Sequence, residues 1–497
     1  MAQASGPAQQ NLISGDFTHQ KSGVRYRIFT ENGHVWLSFE RRGDNPLSGR
    51  RQLLFFIGSG RRGRGYLFAV DGFLFESPVN WYADEKVWDM TPAYHNVSQV
   101  PLNLPANISC LQCHVSGAQP PLKGTENRYA EPMFSFSGVT CERCHGPGAL
   151  HAQGGTIINP SRLSPTRRDS ICMECHLEGR VSIERAGRHA YDFRPGDLLS
   201  DYVRHYLLTS GKNQTLGAVS QVEALTQSKC KKSSGDAMSC TSCHNPHISP
   251  SAKERADYFR RKCLACHDAP GYAKHHPEQP DCTRCHMPSR SSDIAHTQVT
   301  DHRIPRRNDA PPLPLLDLNT QRSFPHLVPF PDTAEAQRDT RGLALAWGVM
   351  AEQGMSTAVP EAEIRLRIAT AESPGDPALL AALGFIEQKR GAVDRARDLY
   401  EKALQLDPDL IDAAANLGVI EANRGLLREP VRLWQSAFER APAKSDIGID
   451  AARTLCDAGQ FDSARSMTQR VLRFNPDMPA ARKLMQQLNS TKPVCKP

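Results

Sequence analysis

Six pentapeptides carry the chemistry of this chain. They are Cys110-Leu-Gln-Cys113-His114, Cys141-Glu-Arg-Cys144-His145, Cys172-Met-Glu-Cys175-His176, Cys240-Thr-Ser-Cys243-His244, Cys263-Leu-Ala-Cys266-His267 and Cys282-Thr-Arg-Cys285-His286. Twelve of the 15 cysteines are used in them. Two thiols three positions apart can add to the two vinyl groups of one porphyrin, and the histidine that follows then lies under the ring and ligates iron from the proximal side. Zinc ribbons also pair CxxC units, but they do not need a histidine after each second cysteine. A disulfide framework has no use for that histidine either. The motifs therefore predict six covalently attached c-type haems, with His114, His145, His176, His244, His267 and His286 as proximal ligands.

Six proximal histidines leave six distal positions, and the chain has twelve further histidines. Reach sorts some of them. His247 lies three residues beyond His244, at most ~10 Å of extended chain, too short to pass around a porphyrin to the other face of its own iron. His151 lies six residues beyond His145, at most ~20 Å, so a neighbouring iron is again the better target. Both require closely packed haems. The other distal candidates are His302 and His296 just after the last motif, His276 (or its neighbour His275), and His95 shortly before the first motif. His189 and His205 stand between ligation and ordinary surface or packing roles. His19, His34 and His326 are expected to be structural or exposed.

Three cysteines remain. Lys229, Lys231 and Lys232 surround Cys230, and cations beside a thiol favour its reactive, deprotonated form. Ligating an iron, lining a reactive site, or a buried or disulfide-linked state with Cys495 as partner are all open for it. Cys456 falls within a repeat helix and reads as a small core residue.

The elements that position these groups can be read around them. Residues 16–105 predict a β-rich N-terminal domain. Val24, Tyr26 and Ile28 alternate with Arg25 and Arg27, and Asp71-Gly72 between two apolar runs signals a hairpin. Arg61, Arg62 and Arg64 either contact haem propionates or an acidic partner, or form a solvated basic loop. Residues 106–305 hold the motifs. From Cys110 to His302 there are about 32 residues per haem, too few for an ordinary apolar core, so this domain is expected to be haem-packed with little regular structure. A proline-rich linker, 306–339, follows and reads as extended. Residues 340–490 repeat every 34 positions: Pro374, Pro408, Pro442 and Pro476, with Gly391, Gly425 and Gly459 at the same interval. A glycine between two helices and a proline after the second at this period is the tetratricopeptide pattern. Three repeats are predicted, preceded by a divergent helical pair around Leu343–Ile368. Such arrays present a surface to partners; a solubilising cap on the haem domain is the alternative. The whole is a multidomain α+β chain with a C-terminal all-α solenoid.

The segments Cys141-x-x-Cys-His-Gly-Pro-Gly-x-x-His151 and Cys240-x-x-Cys-His-Asn-Pro-His247 resemble those of multihaem cytochromes c. That superfamily includes the tetrahaem cytochrome c of nitrifiers, hydroxylamine oxidoreductase and pentahaem nitrite reductase. The end of the haem region, Cys282-x-x-Cys-His-Met-Pro with His296 and His302 beyond it, resembles a bacterial group that joins such haem domains to tetratricopeptide repeats. The resemblance implies that His151 and His247 are distal ligands of other haems. The lysine that replaces a proximal histidine in pentahaem nitrite reductase is absent, because all six motifs end in histidine.

These features predict a hexahaem electron carrier whose repeats dock it to a redox partner or an assembly. The alternative is a multihaem oxidoreductase acting on a small nitrogen or sulfur compound at one five-coordinate haem; a scaffold with mainly structural haems is a third reading. Haem attachment to thiols takes place outside the cytoplasm in bacteria. The expected location is therefore the periplasm or cell surface, with a signal peptide removed or replaced by Met1. No run of eighteen apolar residues exists, so no transmembrane helix is predicted. The net charge is +7. A ferric haem with both propionates ionised contributes roughly −1, which brings the holoprotein to about +1 and argues against a nucleic-acid partner.

Overall fold

The computed structural model describes residues 5–490 except 11, 44, 95, 210–216, 218, 269–280, 293, 295 and 307–325, together with Cys495. The chain divides into two compact units. One is Val139–Arg338; the other combines Ala4–Gly138 with Asp339–Pro497. The first is thus an insertion in the sequence of the second.

The two-segment unit begins with a nine-stranded antiparallel sheet: β1 (Ser5–Pro7), β2 (Gly15–His19), β3 (Val24–Glu31), β4 (His34–Arg41), β5 (Leu47–Ile57), β6 (Gly63–Val70), β7 (Phe73–Glu76), β8 (Val79–Tyr82) and β9 (Val87–Met90). The order is β2-β3-β4-β5-β6-β8-β9, with β1 against β5 and β7 against β6. The alternation seen in the sequence sets the faces: Val24, Tyr26 and Ile28 of β3 and Val35, Leu37 and Phe39 of β4 are buried, whereas Arg25 and Arg27 face out. The tight turns use left-handed backbone, Asn32-Gly33 at φ 51° and 77° and Asp71-Gly72 at φ 52° and 80°, which suits two-residue hairpins.

The same unit ends in paired helices. Thr340–Glu352 with Val359–Glu372 comes first. Three repeats follow: Pro377–Lys389 with Val393–Leu406, Ile411–Asn423 with Arg428–Arg440, and Ser445–Asp457 with Phe461–Phe474. Pro479–Leu488 closes the array. The repeat chemistry is visible at Gly418, where an added Cβ would lie 2.5 Å from Trp434 Nε1. Only glycine lets the two helices of that repeat approach so closely. Gly384 under Tyr400, 34 residues earlier, is the same device.

Sheet and array share one core. The ring of Phe474 meets Phe73, Phe75 and Phe438 at about 6 Å between centroids. Beside it the Asp477 carboxylate, 1% exposed, takes two hydrogen bonds from Arg41 at 2.9 and 2.5 Å. It also takes one from Arg482 at 3.2 Å and the backbone N–H of Val100 at 2.8 Å. Strand β4, the segment after the sheet and the end of the array are thus tied to one buried anion. Cys456 differs from expectation. It is not an unpaired core residue but is bonded to Cys495, with Cα atoms 5.7 Å apart. Cys495 is therefore taken and cannot pair with Cys230. The cross-link pins the tail after the last helix to the helix Ser445–Asp457.

The unit Val139–Arg338 is built of short elements. They include the helices Glu142–His145, Pro165–His176, Cys240–Cys243, Arg255–Leu264 and Cys282–His286, a three-stranded sheet (Val181–Glu184, Val203–Thr209, His326–Phe330) and the pair Ser289–Ser291 with Gln298–Thr300. Ile171, Phe193, Leu199 and Val203 form a small apolar cluster. Of the stretch expected to be an extended linker, 307–325 lies outside the described residues, and His326–Phe330 pairs with Val203–Thr209.

Two outcomes follow. Asp477→Ala strands Arg41 in a buried setting and is expected to cost about 3–5 kcal/mol; a shift in denaturant midpoint worth less than about 1 kcal/mol would contradict the central place given to this carboxylate. Cys495→Ser opens a loop with a sequence separation of 39 and should cost about 4 kcal/mol on a chain-entropy basis, an effect that reductant should mimic in the parent protein and not in the variant.

Candidate haem-binding site

Each CxxCH motif lies at or beside a short helical segment, where positions i, i+3 and i+4 share a face. The first motif, on the helix Ile108–His114, is built onto the large sheet. Its Leu111 and the following Val115 are buried with Leu67, Leu74, Ala106, Tyr129 and Met133. The other five belong to the unit Val139–Arg338.

In that unit the thiols of successive motifs are neighbours. Burial first, then the charge of Cys172, raises the Cys144 thiol. Cys172 and Cys240 share a hydrogen bond that pushes Cys172 down and Cys240 up. Cys243 is raised by burial, with contributions from Cys230 and Cys266. Cys263 is pushed up to about 11 by burial and by the neighbouring Cys282. The second to sixth motifs therefore follow one another in space in the order of the chain.

The imidazoles are oriented by their second nitrogen. Nδ1 of His145 lies 2.8 Å from the carbonyl of Ile158, that of His286 3.0 Å from the carbonyl of Pro305, and that of His302 2.9 Å from the carbonyl of Thr300. His151 makes a longer bond of this kind, 3.2 Å to the Gly155 carbonyl, and His176 Nδ1 lies 3.0 Å from Gln221 Oε1. A carbonyl can only accept, so Nδ1 carries the proton and Nε2 keeps its lone pair for a metal.

Two histidine pairs face each other. The rings of His145 and His247 are 5.9 Å apart between centroids and inclined by 20°. Those of His244 and His302 are 6.2 Å apart at 30°. With metal–imidazole bonds of about 2.0 Å, two rings on opposite sides of one iron have centroids about 6 Å apart, so the residues present fit the group the motifs call for. Burial holds His244 and His302 below the usual imidazole range, with the nearby His176 adding to the effect.

The remaining candidates divide. His95 and His276, with His275, lie outside the described residues. His296 sits in the turn between two short strands at φ 57°. His189 is half-exposed, paired with Glu184 at 2.8 Å and stacked on Tyr191, a surface arrangement. His19 bonds Ser22, and His34 bonds Gln52 on the large sheet. Arg62 pairs with Asp84, and Arg64 lies over the Phe56 ring, so both serve the sheet. Cys230 lies near Cys243 and Cys263. Its neighbour Lys231 spends its ammonium on the carbonyls of Gly235 and Met238. The acceptors Ile158, Pro305 and Gln221 could not be found from sequence, because a backbone carbonyl or a distant amide leaves no motif.

Comparison with known proteins agrees with the outline. Residues 85–146 match the family described as cytochrome c554 and c-prime, and residues 431–488 match a tetratricopeptide repeat family. The chain is 27% identical over 173 residues to the multiheme cytochrome MtrA of Shewanella baltica (strain OS185), covering 32% of this chain and 52% of that protein. It is 30% identical over 105 residues to the protein CTR9 homolog of Arabidopsis thaliana, covering 20% and 9%. The chain thus spans about half the length of the first relative and about a tenth of the second. Among solved structures, a mutant form of MamA is similar at 21% identity, covering 29% of this chain and 81% of that chain with a TM-score of 0.27. YrrB, described as a TPR protein with an unusual peptide-binding site, is similar at 17% identity, covering 29% and 72% with a TM-score of 0.26. The stretch around the first two motifs is thus similar to a c-type cytochrome family and the C-terminal helices to tetratricopeptide repeats, and the similarity to a multiheme cytochrome supports covalently bound c-type haem as cofactor.

One titration follows from the first motif. Burial pushes the carboxyl of Glu76 on β7 up to about 7, while a hydrogen bond from Asn80 opposes the shift, and its charge acts on Cys110. The folded state then holds this proton where the unfolded chain has lost it. Stability should be full below pH ~4.5 and fall by up to about 3 kcal/mol as pH rises to 7. Glu76→Gln should flatten that slope in denaturant titrations across this range; an unchanged slope would refute the assignment.

Proposed function

We propose that this chain is a hexahaem c-type cytochrome that relays electrons outside the cytoplasm, with its repeats as a docking module. The observation that carries the reading is the succession of thiols from the second motif to the sixth, each acting on the next through charge or a hydrogen bond, which supports neighbouring cofactor sites between which electrons pass. The similarity to a multiheme cytochrome supports it. The cross-link between Cys456 and Cys495 supports an oxidising compartment, in keeping with the periplasm or cell surface.

When bound, each haem supplies a one-electron ferric/ferrous couple whose potential depends on axial ligand, burial and nearby charge. The chain's own residues do the rest. The paired thiols of each motif fix the cofactor, and the six motif histidines take the proximal positions. His247 is proposed opposite His145, and His302 opposite His244, so that two irons are closed to substrate. His151, His296, His276 and His95 are the proposed ligands for other irons. The hydrogen bonds at Nδ1 hold the rings in place, and a firm ring keeps the ligand geometry alike in both oxidation states.

One observation favours an enzyme instead. Cys230 is an unconsumed thiol close to Cys243 and Cys263, where it could meet a small nitrogen or sulfur compound bound at an open iron.

The intact protein decides between these. A carrier is expected to show the mass of six haems, an all-low-spin ferric spectrum and no spectral shift when carbon monoxide is added to the reduced protein. A high-spin component with a carbon monoxide shift in one haem of six would overturn the carrier and favour the enzyme. Fewer than six haems would overturn the count.

A further inference from the structure

We infer that His205, a residue outside the motifs, is an axial ligand of a haem bound beside the third motif; this rests on the haem reading above and adds a ligand to it.

His205 lies on the strand Val203–Thr209, between Ser182 and Phe330 on the neighbouring strands. It is 8% exposed; its backbone is paired in the sheet, and among the described residues its ring has no hydrogen-bond partner, while neither ring nitrogen is a fully buried orphan. An imidazole always carries at least one N–H donor, and a neutral one also carries a lone pair. The apolar surroundings keep the ring neutral, and burial is the only cause of a pKa pushed down to about 4. The neutral ring is the form that binds a metal.

Its placement supplies the target. Side chains alternate along a strand, so His205 shares a face with Val203. Val203 packs with Ile171 of the helix that carries the third motif, and Cys144 and Met173 border the same cluster. Gly179, three residues beyond His176, lies directly against the ring: a Cβ there would stand 3.2 Å from His205 Cβ and 3.4 Å from its Cδ2. The second and fourth motifs already have facing imidazoles in His247 and His302, which leaves the third as the nearest motif without one. The other non-motif histidines differ. His189 has a carboxylate partner at a half-exposed position, and His19 and His34 bond polar side chains.

The test uses the full-length holoprotein. In His205→Gly, one sixth of the haem is expected to turn high-spin and to bind carbon monoxide when reduced, and added imidazole should restore the low-spin spectrum. His205→Met keeps a ligand at the site and should remain low-spin with a raised potential in one haem. His205→Phe fills the same volume without a ligand. If His205 merely packs, all three variants keep the parent spectrum with six haems attached, and the inference fails. It fails equally if His205→Phe holds six low-spin haems while only the glycine variant is perturbed. The haem count of the parent protein is a separate readout: fewer than six would refute the hexahaem reading without touching His205.

Discussion

A hydrogen bond between an imidazole Nδ1 and a fixed acceptor is the small interaction on which the haem region depends. The two thioether links of a CxxCH motif hold a porphyrin, but they do not set the direction of the iron-binding lone pair. The carbonyls of Ile158, Pro305 and Thr300 do so for His145, His286 and His302. For the two motif histidines the acceptor lies well outside the motif, 13 and 19 residues away. The loops between motifs are therefore more than spacers. They return a carbonyl to a ring, and their lengths are constrained by that return.

The two units reach stability by different means. The sheet and repeats bury a continuous set of aromatic and aliphatic side chains around Phe474 and close it with the Asp477 carboxylate. The unit Val139–Arg338 has a small apolar cluster, and several of its thiols are pushed up by burial and by each other. Crowded thiols of this kind gain nothing from remaining free. On the proposed reading, covalent attachment would remove the polar sulfhydryls and put a large apolar macrocycle beside the short helices, so that the cofactor would supply there what the hydrophobic core supplies in the other unit.

Much of this was legible in the sequence because its signals are local. The motifs occupy five consecutive residues, the strands around Val24–Phe39 alternate with period two, and the repeats return every 34 positions. What escaped was long-range. Asp477 follows a proline in a repeat loop and looks like any turn aspartate until Arg41, more than four hundred residues earlier, is placed against it. Cys456 looked like a core residue because its partner lies beyond the last helix. The union of the first motif with the sheet and repeats is equally invisible, since no residue of Cys110–His114 differs in kind from the other motifs. His205 was open between ligation and packing in the sequence, and only its burial on the strand sets it apart from His189.

Because the unit Val139–Arg338 interrupts the other in sequence, the order of synthesis becomes a property of the fold. Chains emerge amino end first, so Arg41 and the first motif are made long before Asp477 exists. Until the final repeat arrives, the sheet lacks the aromatic ring and the carboxylate that complete its core. The apolar cluster under the first motif, drawn wholly from residues 55–134, needs no repeat and can form early, whereas the core around Phe474 cannot close until the last repeat is made. Closure by Asp477 acts as a latch at the end of biogenesis.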